Sequence, residues 1–307
     1  MNNPSALSND ISVCTVSQSG SPKLRKFKEN LMHGVFLLSA LASVLSVIFI
    51  CVFLFGSGLP AIGEIGVLNF LTGERWHPLE GEFGIFPMIV GSLYVTAGAV
   101  IIGVPIGILC AVFLAEYCPP KLYRLIKPMI NLLAGIPSIV YGFFGLVVIV
   151  PIMQSLFGGS GKGILTASVL LGIMILPTVT GVSEAAIRAV PSLYYEGALA
   201  LGATHERSIF AAVLPAAKSG ITAGIILGIG RAAGEAMAVV MVAGNQAQMP
   251  SDITSGVRTL TANIVLEMGY AADGLHRNSL IATGVVLFVF IMIINISFSS
   301  LKRGDSK

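Results

Sequence analysis

Charge is scarce in this chain of 307 residues: Asp, Glu, Lys and Arg make up only 11% of it, while 55% is hydrophobic and the mean hydropathy is +0.88. A soluble domain carries roughly 25% charge, so a water-soluble fold is excluded. Histidine is equally thin, with His33, His77, His205 and His276 in separate regions, and the cysteines Cys14, Cys51, Cys110 and Cys118 have no short paired spacing. Neither a metal site nor a disulfide framework is expected. The chain lacks a Gly-x-Ser-x-Gly nucleophile motif, which removes that route to a membrane hydrolase. It also lacks a phosphate-cradling G-x-x-x-x-G-K-[ST] loop. The stretch GGSGKG from Gly158 to Gly163 has Leu156 where the first glycine belongs and Gly163 after the lysine, and reads as a flexible turn. A formal net charge of +3 is too small to indicate nucleic acid, so the placement of the charges matters more than their sum.

What the chain has is long apolar runs. A hydrocarbon core about 30 Å thick takes about 20 residues of helix, and runs of that length predict spans at Gly34–Phe55, Phe86–Glu116, Ile126–Phe157, Ile164–Ile187, Ser219–Ala243 and Ser279–Leu301. The expected class is therefore all-α, a polytopic membrane protein with six transmembrane helices over residues 34–301. The polar stretch Met1–His33 is too long for a cleavable signal, so the first helix is expected to stay as an anchor. Residues 1–33 are expected to form a disordered tail and 302–307 a short one, both cytoplasmic.

The orientation follows from the basic residues. Lys23, Arg25, Lys26, Lys28, Lys121, Arg124, Lys127, Arg188, Arg207, Lys218, Lys302, Arg303 and Lys307 fall on one side, and only Arg75, Lys162, Arg258 and Arg277 on the other. The positive-inside rule makes the first side cytoplasmic. The external loops then carry Glu64, Glu74, Glu80, Glu82, Asp252, Glu267 and Asp273 with Trp76, a polar surface suited to a soluble partner. Pro87, Pro105, Pro128, Pro137 and Pro151 predict kinked or tilted second and third spans. Gly220, Gly224 and Gly228 recur every four residues, as do Gly230 and Gly234; such a stripe serves either packing within the chain or a dimer seam.

Two charged pairs lie in or beside spans. Arg231 and Glu235 are four apart in the fifth span, which places them on one helical face. A charge in hydrocarbon costs about 2.5 to 3.5 kcal/mol on insertion scales, so both should face a cavity or each other. Arg231 could offer a multi-donor fork to a tetrahedral oxyanion, with Glu235 holding it when empty, or the two could form an ion pair that locks packing. Glu184 and Arg188, in the favourable order at the end of the fourth span, read as structural.

Between the fourth and fifth spans, at about 188–218, the chain reads AVPSLYYEGALALGATHERSIFAAVLPAAKSG. Ser192 can cap a short helix that Pro191 precedes, and Gly202 is a natural residue to end it. Glu196, Gly197, Ala198, Gly202, Leu214 and Pro215 resemble the coupling loop of ABC importer permeases, Glu-Ala-Ala, three residues, Gly, nine residues, Ile, one residue, Leu-Pro. Gly197 departs from the first alanine and Ala212 from the isoleucine. The stretches SLYVTAGAVIIGVPIGILCAVFLAEY, LLAGIPSIVYGFFGL and GRAAGEAMAVVMVAGN are similar to the C-type permeases of high-affinity phosphate importers.

The resemblance implies a type I ABC importer transmembrane domain that carries inorganic phosphate into the cytoplasm across a bacterial inner membrane. It implies a related A-type permease as heterodimer partner, a homodimeric ATPase that uses the ATP, and an external phosphate-binding protein. The chain itself would be no enzyme and bind no cofactor. Its coupling residues would be the six above, and its substrate path would run by Arg231 and Glu235. A sulfate or molybdate permease of the same superfamily, or an ATP-independent secondary transporter, are the competing readings.

Overall fold

The computed structural model describes residues 22–304. The expected tail lies outside the described residues as far as position 21; from Pro22 onward it is helical, so the first helix begins well before Gly34. The elements are α1 (Pro22–Ile65), α2 (Val67–Thr72), β1 (Trp76–His77), β2 (Glu82–Phe83), α3 (Phe86–Val112), α4 (Pro120–Gly135), α5 (Ser138–Phe144), α6 (Val150–Phe157), α7 (Ile164–Arg188), α8 (Ser192–Ala200), α9 (His205–Ser208), α10 (Leu214–Gly234), α11 (Met237–Val242), α12 (Leu260–Glu267) and α13 (Leu275–Gly304). Met1–Phe53 forms one compact unit and Leu54–Lys307 the other. In the first, the described residues are one stretch of α1, exposed on nearly every side as a lipid-facing helix must be.

Among the described residues, six helical stretches are long and apolar enough to cross a membrane: Lys28–Ile65, Phe86–Tyr117, Ser138–Phe157, Ile164–Arg188, His205–Gly234 and Leu275–Ser297. The count matches expectation, but two spans differ. The third begins at Ser138 because Ile136 and Pro137 adopt extended backbone, and this separates α4 as an amphipathic helix of its own. The fifth starts at His205 and stops at Gly234, where Glu235 turns extended with ψ 128°.

Among the described residues, a turn of π-helix ends the second span at Phe113–Tyr117, and two more interrupt the third and fifth spans at Gly145–Ile149 and Ile209–Val213. The last two have a clear cause. Pro151 and Pro215 lie two residues past their ends, and a proline ring collides with the carbonyl four residues back, here Val147 and Ala211. A wider turn at those carbonyls makes room for the ring.

α7 is the most buried span and packs along α3 and α10. Lipid supplies no hydrophobic drive between helices, so contact rests on close approach and hydrogen bonds. Ser168 donates to the Val95 carbonyl and Thr180 to the Gly107 carbonyl of α3 (3.3 and 3.1 Å). On α10, a Cβ added to Gly220 would stand 2.3 Å from Ala186 and one on Gly228 would stand 2.8 Å from Val179. Gly224 lies against Val182 and Ser183. The Gly220–Gly224–Gly228 stripe is thus a seam within the chain, whereas Gly230 and Gly234 face open space.

At the end of the bundle carrying α2 and the β1–β2 hairpin, one of the carboxylates expected to face solvent, Glu267, is internal, while Glu64, Glu74, Glu80, Asp252 and Asp273 are exposed. Trp76 and Glu267 are each 5% exposed. The indole Nε1 donates to Glu267 Oε2 (2.7 Å), Arg258 donates to Glu267 Oε1 (2.7 Å), and His276 Nε2 lies 3.2 Å from Oε2. Burying a carboxylate requires such pairing, and here it ties the hairpin to α12, α13 and the loop before α12. This corrects the reading of Trp76 and Glu267 as part of a polar surface for a soluble partner. Glu74 and Glu80 remain exposed.

Candidate functional site

The loop at the opposite end is built around α8. Gly202 follows it with φ +83°, the left-handed conformation that costs an L-residue energy. Ala203 N–H donates to the Ala198 carbonyl (3.1 Å) and Gly202 N–H to the Leu199 carbonyl (2.9 Å), the paired bonds of a Schellman cap. The chain then restarts at Thr204, whose hydroxyl accepts from Arg207 N–H (3.3 Å). A Cβ on Gly202 would meet nothing within 4 Å, so the glycine is required by conformation alone.

α8 presents Leu193 (76% exposed), Tyr194 and Leu199, with Leu201 (91%) just beyond its end, and Glu196 and Gly197 are exposed among them. Its other side is held by Tyr195, whose hydroxyl sits 2.8 Å from His205 Nδ1, while the His205 ring meets Tyr117 edge-on at 5.0 Å. Ala198 is half-buried on that inner side. Leu214 packs into a small core with Ile187, Ile209 and Val213, and Pro215 follows the π-turn. The six motif residues therefore divide. Glu196, Gly197, Ala198 and Gly202 shape the exposed helix, and Leu214 and Pro215 shape the span that carries it.

Beside this loop, Glu184 is 1% exposed and holds three partners: Lys127, Arg188 (2.9 Å) and the Tyr123 hydroxyl (2.8 Å). Arg188 also donates to the Leu114 carbonyl (2.6 Å) and lies 4.5 Å over the Tyr123 ring. The hydrogen bond to Glu184 raises the Tyr123 phenol above its usual range. The Glu184–Arg188 pair is structural as expected, but sequence spacing did not reveal Lys127 and Tyr123. They pin α4 to the end of α7.

The other candidate residues lie where α10 stops. Arg231 is half-buried in the last turn of α10, within electrostatic reach of Tyr141 on α5. Glu235 does not share its helical face, because the helix ends at Gly234. Its carboxylate instead accepts from Ala238 N–H (3.2 Å) and caps α11, where negative charge is favoured. Among the described residues no carboxylate lies in ion-pairing distance of Arg231. The expected pair on one helical face is corrected to two charges flanking a break. No proline marks that break, so the sequence pattern offered no sign of it.

The glycine-rich turn before α7 has its backbone occupied. Gly163 N–H donates to the Val242 carbonyl, Ile164 to Ser255 and Leu165 to Ile253, at 3.0 to 3.1 Å. The first amides of α7, which would have to cradle a phosphate, are spent on the loop after α11. Helix α6 precedes the turn rather than the strand of a phosphate-binding loop.

Comparison with known proteins matches this architecture. Residues 103–304 fit the family model described as binding-protein-dependent transport system inner membrane component. The chain is 38% identical over 272 residues to the probable ABC transporter permease protein YqgH of Bacillus subtilis, covering 86% of this chain and 88% of that one. It is 36% identical over 279 residues to the phosphate transport system permease protein PstC of Mesorhizobium japonicum, covering 84% and 85%. Among solved structures, the inward-facing MetNI methionine ABC transporter superposes with a TM-score of 0.60 at 20% identity, covering 76% of this chain and 100% of that one. A bacterial ABC transporter involved in importing the acidic polysaccharide alginate gives 0.59 at 17% identity, covering 92% and 100%. The fold is that of a type I ABC importer membrane domain, and the chain belongs to the family of binding-protein-dependent transport system inner membrane components.

Proposed function

We propose that this chain is one of two pore-lining permease subunits of an ATP-driven importer, and that its cargo is inorganic phosphate. The observation that carries the ATP-driven part is α8: a capped helix held from behind by Tyr195 and His205, with Leu193, Tyr194, Leu199 and Leu201 exposed beyond the bilayer-crossing stretch. Large apolar side chains at an end that lipid does not cover fit a partner's groove. The partner is a homodimeric ATPase, which spends the ATP; this chain is no enzyme and holds no cofactor. Glu196, Gly197, Ala198, Gly202, Leu214 and Pro215 form the coupling element.

Phosphate is supported by the identity to permeases named for phosphate transport and by the state of Arg231. A guanidinium with no carboxylate in ion-pairing distance among the described residues, beside the open flank at Gly230 and Gly234, suits a tetrahedral oxyanion that accepts two parallel hydrogen bonds. Glu235, held at the α11 N-terminus, sets the local negative charge that would favour release. The A-type permease completes the pore, and an external phosphate-binding protein delivers the anion. The chain sits in a bacterial inner membrane with both termini and α8 cytoplasmic, as its basic residues suggest.

The test is uptake of labelled phosphate at limiting concentration in cells lacking the chain and in cells given it back, with sulfate, molybdate and arsenate as competitors. Uptake that needs the chain and yields only to arsenate supports the reading. Loss of sulfate or molybdate uptake instead would transfer the assignment to another oxyanion, and flux that persists without ATP would make it a secondary transporter.

A further inference from the structure

The break carrying Arg231 and Glu235 is held from outside by a directed chain of hydroxyls. A helix end leaves backbone carbonyls without partners, and a buried one must find a donor. The Glu235 carbonyl, just past α10, accepts from the Thr261 hydroxyl at 2.9 Å. Thr261 in turn lies 3.0 Å from the Thr259 hydroxyl, and Thr259 accepts from Ala262 N–H at 3.1 Å. Each hydroxyl has one proton, so the directions are fixed. Ala262 donates to Thr259, Thr259 to Thr261, and Thr261 to the Glu235 carbonyl. Both threonines are buried. Chains of this kind polarise one another in a low-dielectric interior.

The same short helix is anchored at both ends. At its start, Leu260 N–H donates to the buried Ser92 hydroxyl of α3 (2.9 Å). Its last residue is Glu267, the carboxylate that receives the Trp76 indole of the hairpin as well as Arg258 and His276. Eight helical residues rise about 1.5 Å each, so α12 is a rigid strut of roughly 12 Å between hairpin and break.

We propose that Thr261 is a positioning residue for the α10–α11 break, and that the Trp76–Glu267 contact sets Thr261 through α12. Displacement of the hairpin would then shift the Glu235 carbonyl, and with it the flank of Arg231. The proposal rests on the transport reading above, because the break matters only if cargo passes it. None of the hydroxyl chain is a presumed cargo contact.

The experiment uses the assembled transporter in membranes. Thr261→Val removes the donor while keeping the shape, Thr261→Ser keeps the donor, and Trp76→Phe removes the indole N–H while keeping an aromatic ring against Phe83. Two readouts are taken: amide hydrogen exchange over residues 235–242, and the maximal rate and half-saturation of labelled phosphate uptake. One buried hydrogen bond predicts about a two- to tenfold faster exchange of that segment in Thr261→Val, with wild-type behaviour in Thr261→Ser. Trp76→Phe should accelerate the same segment, and combined with Thr261→Val it should add little, since both act through one strut. Uptake should lose maximal rate with half-saturation kept. If Thr261→Val fails to assemble, Trp76→Phe alone decides through exchange at 235–242. Exchange there that is unchanged in Trp76→Phe, or variant effects that multiply independently, would overturn the relay. Absence of phosphate uptake in the wild type would instead overturn the transport reading.

Discussion

Replacing Gly202 by alanine separates a conformational requirement from a steric one. The added methyl meets nothing within 4 Å, so no clash contributes. What remains is φ +83°, which costs an L-residue about 1–2 kcal/mol. Alanine also restricts the unfolded chain, which offsets about 0.4–1 kcal/mol. The net is about 1 kcal/mol, and with about 1.4 kcal/mol per tenfold the capped loop should be depopulated about fivefold. The assay is the initial rate of phosphate uptake at matched membrane levels, alongside ATP hydrolysis by the reconstituted complex. Gly202→Asn, which tolerates left-handed backbone, should retain most of the rate. Gly197→Ala is the control in the same helix. It has open space around it and a helical backbone, so it should gain about 1 kcal/mol of helix propensity and leave uptake at or above wild type. Wild-type rates in Gly202→Ala, or an asparagine variant as poor as the alanine one, would refute the reasoning and point to a contact role for Gly202.

Other outcomes follow from the remaining contacts. Arg231→Gln should abolish phosphate uptake with the complex intact; loss of assembly would instead mark Arg231 as a packing residue. Glu184→Gln leaves Lys127 and Arg188 facing a neutral amide, and because both are partly exposed the cost should be near the lower end for a broken buried pair, about 3 kcal/mol, read as a lower Tm of the detergent-solubilised complex. Gly228→Leu should prevent assembly, since a Cβ already stands 2.8 Å from Val179, whereas Gly230→Leu faces open space and should assemble normally.

The six spans were legible because apolar length is a strong signal, and α8 because a capping glycine, a proline before the helix and fixed spacing agree. The limits of the sequence reading lie where one element imitates another. α4 and α5 read as a single run because an amphipathic helix leads into an apolar one, and only the extended Ile136–Pro137 pair divides them. The end of α10 was hidden because neither Gly234 nor Glu235 forbids a helix; the break is stabilised by Thr261, distant in sequence. The burial of Trp76, Arg258 and Glu267 was invisible for a related reason. Charge in a loop normally implies water, and only the folded chain shows that these charges meet one another.

The π-turn at Ile209–Val213 stands between α8–α9 and the whole length of α10. Pro215 has no N–H to offer, so a swing of the lower segment about this point sacrifices no bond that the proline could have made. Force delivered by a partner docked at Leu193 and Leu201, as proposed above, would therefore meet a joint before it meets a shaft. Tilt applied there would reach the glycine seam with α7 as a pivot rather than as a straight push.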